Sequence, residues 1–170
     1  MMQRRTLLKL GAVSAVALVV AGGVAMRVQP GLQDGRQLSP SGRAIFGAVG
    51  SAILDGTLPV EMGPRLIALN GLLQRVDVLI GGLPAHARSE LSELLAVLGT
   101  SPGRRALAGL ATDWPEAAVP DVQQALQGMR ISRLALRQQA YHALHDIVGA
   151  AYFSDAGTWG ALGYPGPLDI

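Results

Sequence analysis

Residues 120–153, PDVQQALQGMRISRLALRQQAYHALHDIVGAAYF, decide the fold. Tyr141, Leu144, Ile147, Val148 and Ala151 recur at three- and four-residue steps between Gln, Arg and His. That period belongs to a helix with one apolar face. The Ala and Leu content supports it, and Gly128 to Ser132 marks the place where the helix can be interrupted.

Working outward, the same period returns upstream. Ser39-Pro40-Ser41 offers an N-cap with Pro in the first turn. Ile45, Phe46, Val49 and Ile53 follow on one face, until Asp55-Gly56 and Pro59 stop the helix. A second helical pattern begins near Pro64, places Leu66, Leu69, Leu73, Val76 and Ile80 on its apolar face and ends at Gly81-Gly82. A third runs from about Pro84 to Leu98 with Leu91, Leu94, Leu95 and Leu98 as its stripe, and Gly99 lies just beyond it. Arg104 to Leu110 reads as a short helix, after which Thr112-Asp113-Trp114-Pro115 breaks the pattern. No strand signal stands out. The expected fold is an all-α, compact bundle of five or six helices, preceded by an N-terminal signal or anchor helix and followed by an irregular, aromatic, Pro/Gly-rich C-terminal tail.

The N-terminus reads MMQRRTLLK and then LGAVSAVALVVAGGVAM, an apolar and small-residue run from Leu10 to Met26 closed by Arg27. A charged head and an apolar run of 17 residues form a targeting segment. As a helix the run would span about 25 Å, the short limit for crossing a bilayer. Arg4, Arg5, Leu7, Leu8 and Lys9 resemble the twin-arginine export pattern, departing mildly at Gln3 and Leu7. Gly23 and Ala25 put small residues where a signal peptidase needs them, so residues 1–25 are read as a twin-arginine signal that is cleaved or retained as an anchor. A buried core helix would need a polar stripe, which this run lacks. Val28 to Leu38 has the Pro, Gly and Gln content of a linker, so residues 26–38 are assigned to a linker and 39–170 to the helical domain.

Composition narrows the chemistry. The net charge of +2 belongs to the signal: without Arg4, Arg5 and Lys9, the 14 basic side chains fall to 11 against 12 acidic ones. The remaining chain therefore gives no reason to expect nucleic-acid binding. With no cysteine, a disulfide, a thiolate nucleophile, a Cys-based zinc site, an iron–sulfur cluster and a c-type haem are all excluded.

His142, His145 and Asp146 form the one cluster suggestive of metal or acid–base work. They share a helix side with Gln138 and Gln139, which reads as a solvated face, and two His at i, i+3 make half a site. His86 reads as exposed. The serines sit at caps and turns without a G-x-S-x-G elbow, and Gly47, Gly50 and Gly81-Gly82 match no phosphate-binding loop. No catalytic, cofactor-binding or metal-binding residue is assigned.

Arg130, Arg133 and Arg137 fall on a narrow arc if a single helix runs through them. That arc is either a docking surface for a partner with carboxylates at its rim or simply a helix leaving its own core. The tail holds Tyr152, Phe153, Trp159 and Tyr164, four of the seven aromatics, among Gly and Pro. Aromatics in so irregular a segment need an anchor, on this bundle or in a partner's pockets.

The tail and the helix before it resemble the gluconate 2-dehydrogenase subunit 3 family, small accessory subunits of membrane-associated flavin dehydrogenases whose large subunit is of the glucose-methanol-choline type. The resemblance is carried by Arg137 with Ala140-Tyr141, by Ala151-Tyr152-Phe153-Ser154-Asp155, by Trp159 and by Gly163-Tyr164-Pro165-Gly166-Pro167. Leu38-Ser39-Pro40 and Leu58-Pro59 agree in outline. The resemblance implies a non-catalytic subunit that helps an FAD-bearing large subunit fold and carries it through the twin-arginine translocase on a shared signal. A cytochrome subunit is a further implied partner, and the inner membrane is met through the N-terminal segment. Arg130, Arg133, Arg137, Tyr152, Phe153, Trp159, Tyr164 and Pro165-Gly166-Pro167 are the expected partner interface. The expected location is the periplasm or the periplasmic face of the inner membrane, with no cofactor on this chain.

The export route points the same way, since it serves cargo that folds before export, and no cofactor site is visible behind this signal. Two other classes compete. One is an independent, membrane-tethered periplasmic binding or scaffold protein; the other is a small helical enzyme using His142, His145 and Asp146.

Overall fold

The computed structural model describes residues 29–164. The signal segment with its Arg4, Arg5, Leu7, Leu8, Lys9, Gly23 and Ala25, and the Pro165-Gly166-Pro167 turn, lie outside the described residues.

Six α-helices make up the described bundle: α1 (Pro40–Ile53), α2 (Met62–Gly82), α3 (Ala85–Gly99), α4 (Ser101–Leu107), α5 (Val119–Arg130) and α6 (Ala135–Phe153). The all-α fold is as the periodicity predicts. Among these helices none is long and apolar enough to cross a membrane.

α1 is the hub, touching α2, α3, α5 and α6. Ser39 caps it, its Oγ accepting from the Gly42 amide at 3.1 Å, and Pro40 opens the first turn with a preset φ. Ile45, Phe46 and Val49 are completely buried, so the face read from the sequence lies at the centre of the core. Leu72, Val76 and Ile80 of α2, Leu95 and Leu98 of α3, Met129 of α5, and Leu144 and Val148 of α6 complete it.

α2 departs from expectation at its start. No residue of α2 before Leu72 is buried, and Leu66, expected on the apolar face, is exposed. The period marks an apolar side but not whether a neighbour covers it.

The described part of the segment read as a linker, residues 29–38, contains a folded hairpin. Leu32–Gln33 and Gln37–Leu38 pair as β1 and β2, antiparallel, with Leu32 opposite Leu38. Asp34, Gly35 and Arg36 form a three-residue loop in which Asp34 and Gly35 have positive φ, 50° and 64°, and the Arg36 amide donates to the Gln33 carbonyl at 3.1 Å. Strands of two residues are too short to show alternation, so Asp34-Gly35 was the one available cue. Both leucines are buried in the main core.

Two contacts fasten the hairpin. Gly31 lies so close to α3 that a Cβ there would sit 2.3 Å from Leu95 Cβ and 2.6 Å from the Ser92 carbonyl oxygen. Asp77 of α2 accepts from the Leu38 amide at 2.7 Å and, through its other oxygen, from Arg43 Nη1 at 2.8 Å. One carboxylate thus joins β2, α1 and α2. Asp77→Ala leaves the half-buried Leu38 amide without an acceptor and should lower stability by about 1–3 kcal/mol, read from urea unfolding.

On α4, Arg104 is 6% exposed and pairs with Asp113 at 2.9 Å, while the same carboxylate oxygen caps Trp114 through its amide. The Trp114 indole N–H donates to the Leu98 carbonyl at 2.9 Å. The loop that breaks the helical pattern is therefore pinned at the end of α3. Arg104 Nε has no partner among the described residues.

Candidate functional site

α5 ends at Arg130 and α6 begins at Ala135, with Ile131 to Leu134 between them. The three arginines consequently share no helical arc, which corrects the docking stripe drawn through one continuous helix. Arg130 is exposed, with its Nε donating to Gln127 Oε1 at 3.0 Å, and Arg133 is exposed in the corner. Arg137 is half-buried and donates from Nε to the Leu107 carbonyl at 2.7 Å, tying the end of α4 to the start of α6. Its position is explained by an intramolecular bond to an otherwise open helix-terminal carbonyl.

The tail folds back on the end of α6. Residues Ala156–Leu162 form a 3-10 segment entered through Asp155, whose carboxylate accepts from the Gly157 amide at 3.0 Å. Thr158 Oγ1 donates to the Asp155 carbonyl at 2.7 Å, and the Trp159 indole donates to the Phe153 carbonyl at 2.8 Å. Gly163, at φ 68°, ends the segment in the left-handed conformation that glycine adopts without strain. The C-terminal carbonyls of α6 thus find donors within the tail.

Arg75 of α2 binds this junction from the side. Its Nε donates to the Ala151 carbonyl at 2.8 Å, and its Nη1 lies 3.2 Å from Asp155 Oδ2. A cation at a helix C-terminus is favourable in its own right.

The aromatics sort into two pairs. Tyr152 and Phe153 meet edge to face at 5.2 Å, with Tyr152 packed on the core and Phe153 exposed. Trp159 and Tyr164 meet at 5.4 Å and 65°, an attractive geometry for two rings. Tyr164 is 49% exposed and Trp159 is half-buried. The structure thus brings together Phe153, Trp159 and Tyr164 in one folded-back unit, and leaves Arg130 and Arg133 at the α5–α6 corner beside the exposed Ile131 and Leu134.

His142 and Asp146 are exposed, and Tyr141 holds the two histidine rings, at 5.3 Å each, edge-on to His142 and stacked on His145. His145 Nδ1 lies 3.1 Å from Asp146 Oδ1. Among the described residues no group of three His, Cys, Asp or Glu is placed to hold a metal ion. His86 is exposed.

Two surface features were missed in the sequence. Val60, Met62 and Ile67 stand 98%, 74% and 74% exposed at the start of α2, beside a groove of about 330 Å³ reaching Trp114 and Val122. A second, more apolar groove of about 230 Å³ lies between α3 and α6, floored by Leu91, Leu94, Val97, Leu107, Ala140 and Ile147. Leu94 was expected in the core stripe, and only its half-buried state reveals the groove. Compared with family models, curated proteins and solved structures, the chain finds no match in any of the three.

Proposed function

We propose that the chain is a non-catalytic small subunit that supports the folding, stability and twin-arginine export of a flavin-dependent dehydrogenase large subunit. The complex would oxidise a sugar, sugar acid or alcohol, with FAD in the partner, at the periplasmic face of the inner membrane. The observation that supports this reading most is the set of large apolar side chains left in water by a bundle whose core is already filled. Phe153 at the end of α6, Tyr164 in the tail, Val60 just before α2, and Met62 and Ile67 on it, are exposed while Phe46, Leu95 and Met129 are fully enclosed. Clustered exposed aromatics and aliphatics are the material of protein interfaces. The resemblance carried by Tyr152-Phe153-Ser154-Asp155, Trp159 and Gly163-Tyr164 points to the same end of the molecule.

The contact region is accordingly the folded-back tail, with Trp159 and Tyr164 as its anchors. Tyr164→Ala removes an exposed ring at little cost to the bundle, and Trp159→Ala also removes the indole bond to Phe153. Each is expected to weaken the hold on the flavoprotein by roughly tenfold, while Tyr164→Ala leaves the melting temperature of the isolated chain unchanged. Quantitative co-precipitation from the native host measures this. Undiminished recovery with both substitutions would remove the tail from the interface.

A further inference from the structure

The apolar groove between α3 and α6 faces away from the hairpin. On α3, Ser92, Leu95 and Ala96 meet Gly31, whereas Ala87, Glu90, Leu91, Leu94 and Val97 line the groove. At 100° per residue the two sets lie on opposite sides of the helix. The groove lining is nearly all aliphatic, and its charged members are Glu90 and Glu93. Neither glutamate has a basic partner among the described residues.

We propose that this groove holds residues 10–23, the first fourteen residues of the apolar run of the chain's own targeting segment, before export. Those residues lie outside the described structure, and three observations select them as occupant. The first is reach. The described chain starts at the back of α3, where the Gly31 amide donates to the Ser92 carbonyl at 3.2 Å. Half the circumference of a helix about 10 Å across is roughly 16 Å, which five extended residues cover. Residues 24–28 are therefore long enough to bring the chain round to the groove.

The second is length. The α3 lining of the groove, from Ala87 to Val97, runs about 15 Å, so the fourteen residues of 10–23, about 21 Å as a helix, are long enough to span it from end to end. The third is charge. Residues 1–27 contain Arg4, Arg5, Lys9 and Arg27 and no acid, whereas the groove offers only carboxylates. Arg27 falls on the crossing segment, and a path over the Glu93 side of α3 would take it past that carboxylate.

The groove needs α3, α4 and α6 in their packed positions, so it shelters the run only once the domain has folded. An apolar run freed from water in this way cannot promote aggregation, and the translocase must then draw it out. The proposal concerns this chain alone and stands or falls independently of the flavoprotein partner.

The natural absence of cysteine makes the test clean. Full-length chain made by cell-free synthesis, and so left uncleaved, is prepared with Ala17→Cys or Ala21→Cys combined with Ala87→Cys or Ala143→Cys. A disulfide requires Cα atoms within about 7 Å, so mild oxidation reports the contact directly. At least one of the four pairs is expected to close intramolecularly with a yield roughly tenfold above that of the same donors paired with Gln124→Cys, exposed on α5 outside the groove. Glu90→Lys with Glu93→Lys, both surface changes, should lower that yield severalfold. Equal yields for groove and control pairs overturn the proposal. Crosslinks that form only between molecules overturn it too, and assign the groove to a second copy.

Discussion

Phe46→Ala is expected to lower the stability of the domain by about 3–5 kcal/mol, because it empties a fully enclosed site at the hub of the bundle. Phe46 is 0% exposed on α1, the helix that touches α2, α3, α5 and α6, so the hole cannot be closed by the movement of a single neighbour. Domains are stable by about 5–15 kcal/mol in total, and a loss of this size lowers Tm by roughly 10–20 °C. Thermal unfolding followed by circular dichroism reads it. Val60→Ala, at the 98% exposed end of the scale, should stay within about 0.5 kcal/mol of the parent. A small effect at Phe46 would mean that α1 is not central.

The second large effect falls on export. If the twin-arginine segment addresses two proteins, replacing Arg4 and Arg5 together by lysine keeps the charge and removes the recognised pair. The partner's dehydrogenase activity should then disappear from the periplasmic side and accumulate in the cytoplasm, measured by fractionation with an impermeant electron acceptor. The bundle itself should fold unchanged, since the described domain begins beyond these residues. Full periplasmic activity with the lysine pair would mean that the partner travels by its own signal.

Much of the bundle could be read from residue spacing, and the failures have identifiable causes. Ser39-Pro40, the Ile45-Phe46-Val49 face and the stop at Asp55-Gly56 mark α1 because cap, period and breaker agree there. α2 shows the limit of that reading. Leu66 has the same spacing as Leu73, yet one is exposed and the other lies in the core, a difference that spacing along one helix does not encode. The hairpin escaped because two-residue strands carry no period, although Leu32 and Leu38 are buried in the same core as the helices.

The candidate site was legible in part. Tyr152, Phe153, Trp159 and Tyr164 stand out by composition, and the 3-10 segment built on Asp155, Thr158 and Gly163 is what gathers them. The arginine arc depended on helix continuity through Ile131 to Leu134, and the chain breaks there. Arg137, with its bond to the Leu107 carbonyl, belongs to the scaffold, a role that local spacing has no means to convey. The groove between α3 and α6 was invisible because Leu94 and Ile147 differ from core residues only in lacking a cover.

The central claim is that this chain works bound to a flavoprotein. Antibody raised against it should precipitate, from detergent-solubilised native membranes, a second and larger polypeptide together with stoichiometric flavin, detected by fluorescence after acid release. Recovery of the chain without flavin and without a larger companion would contradict the account.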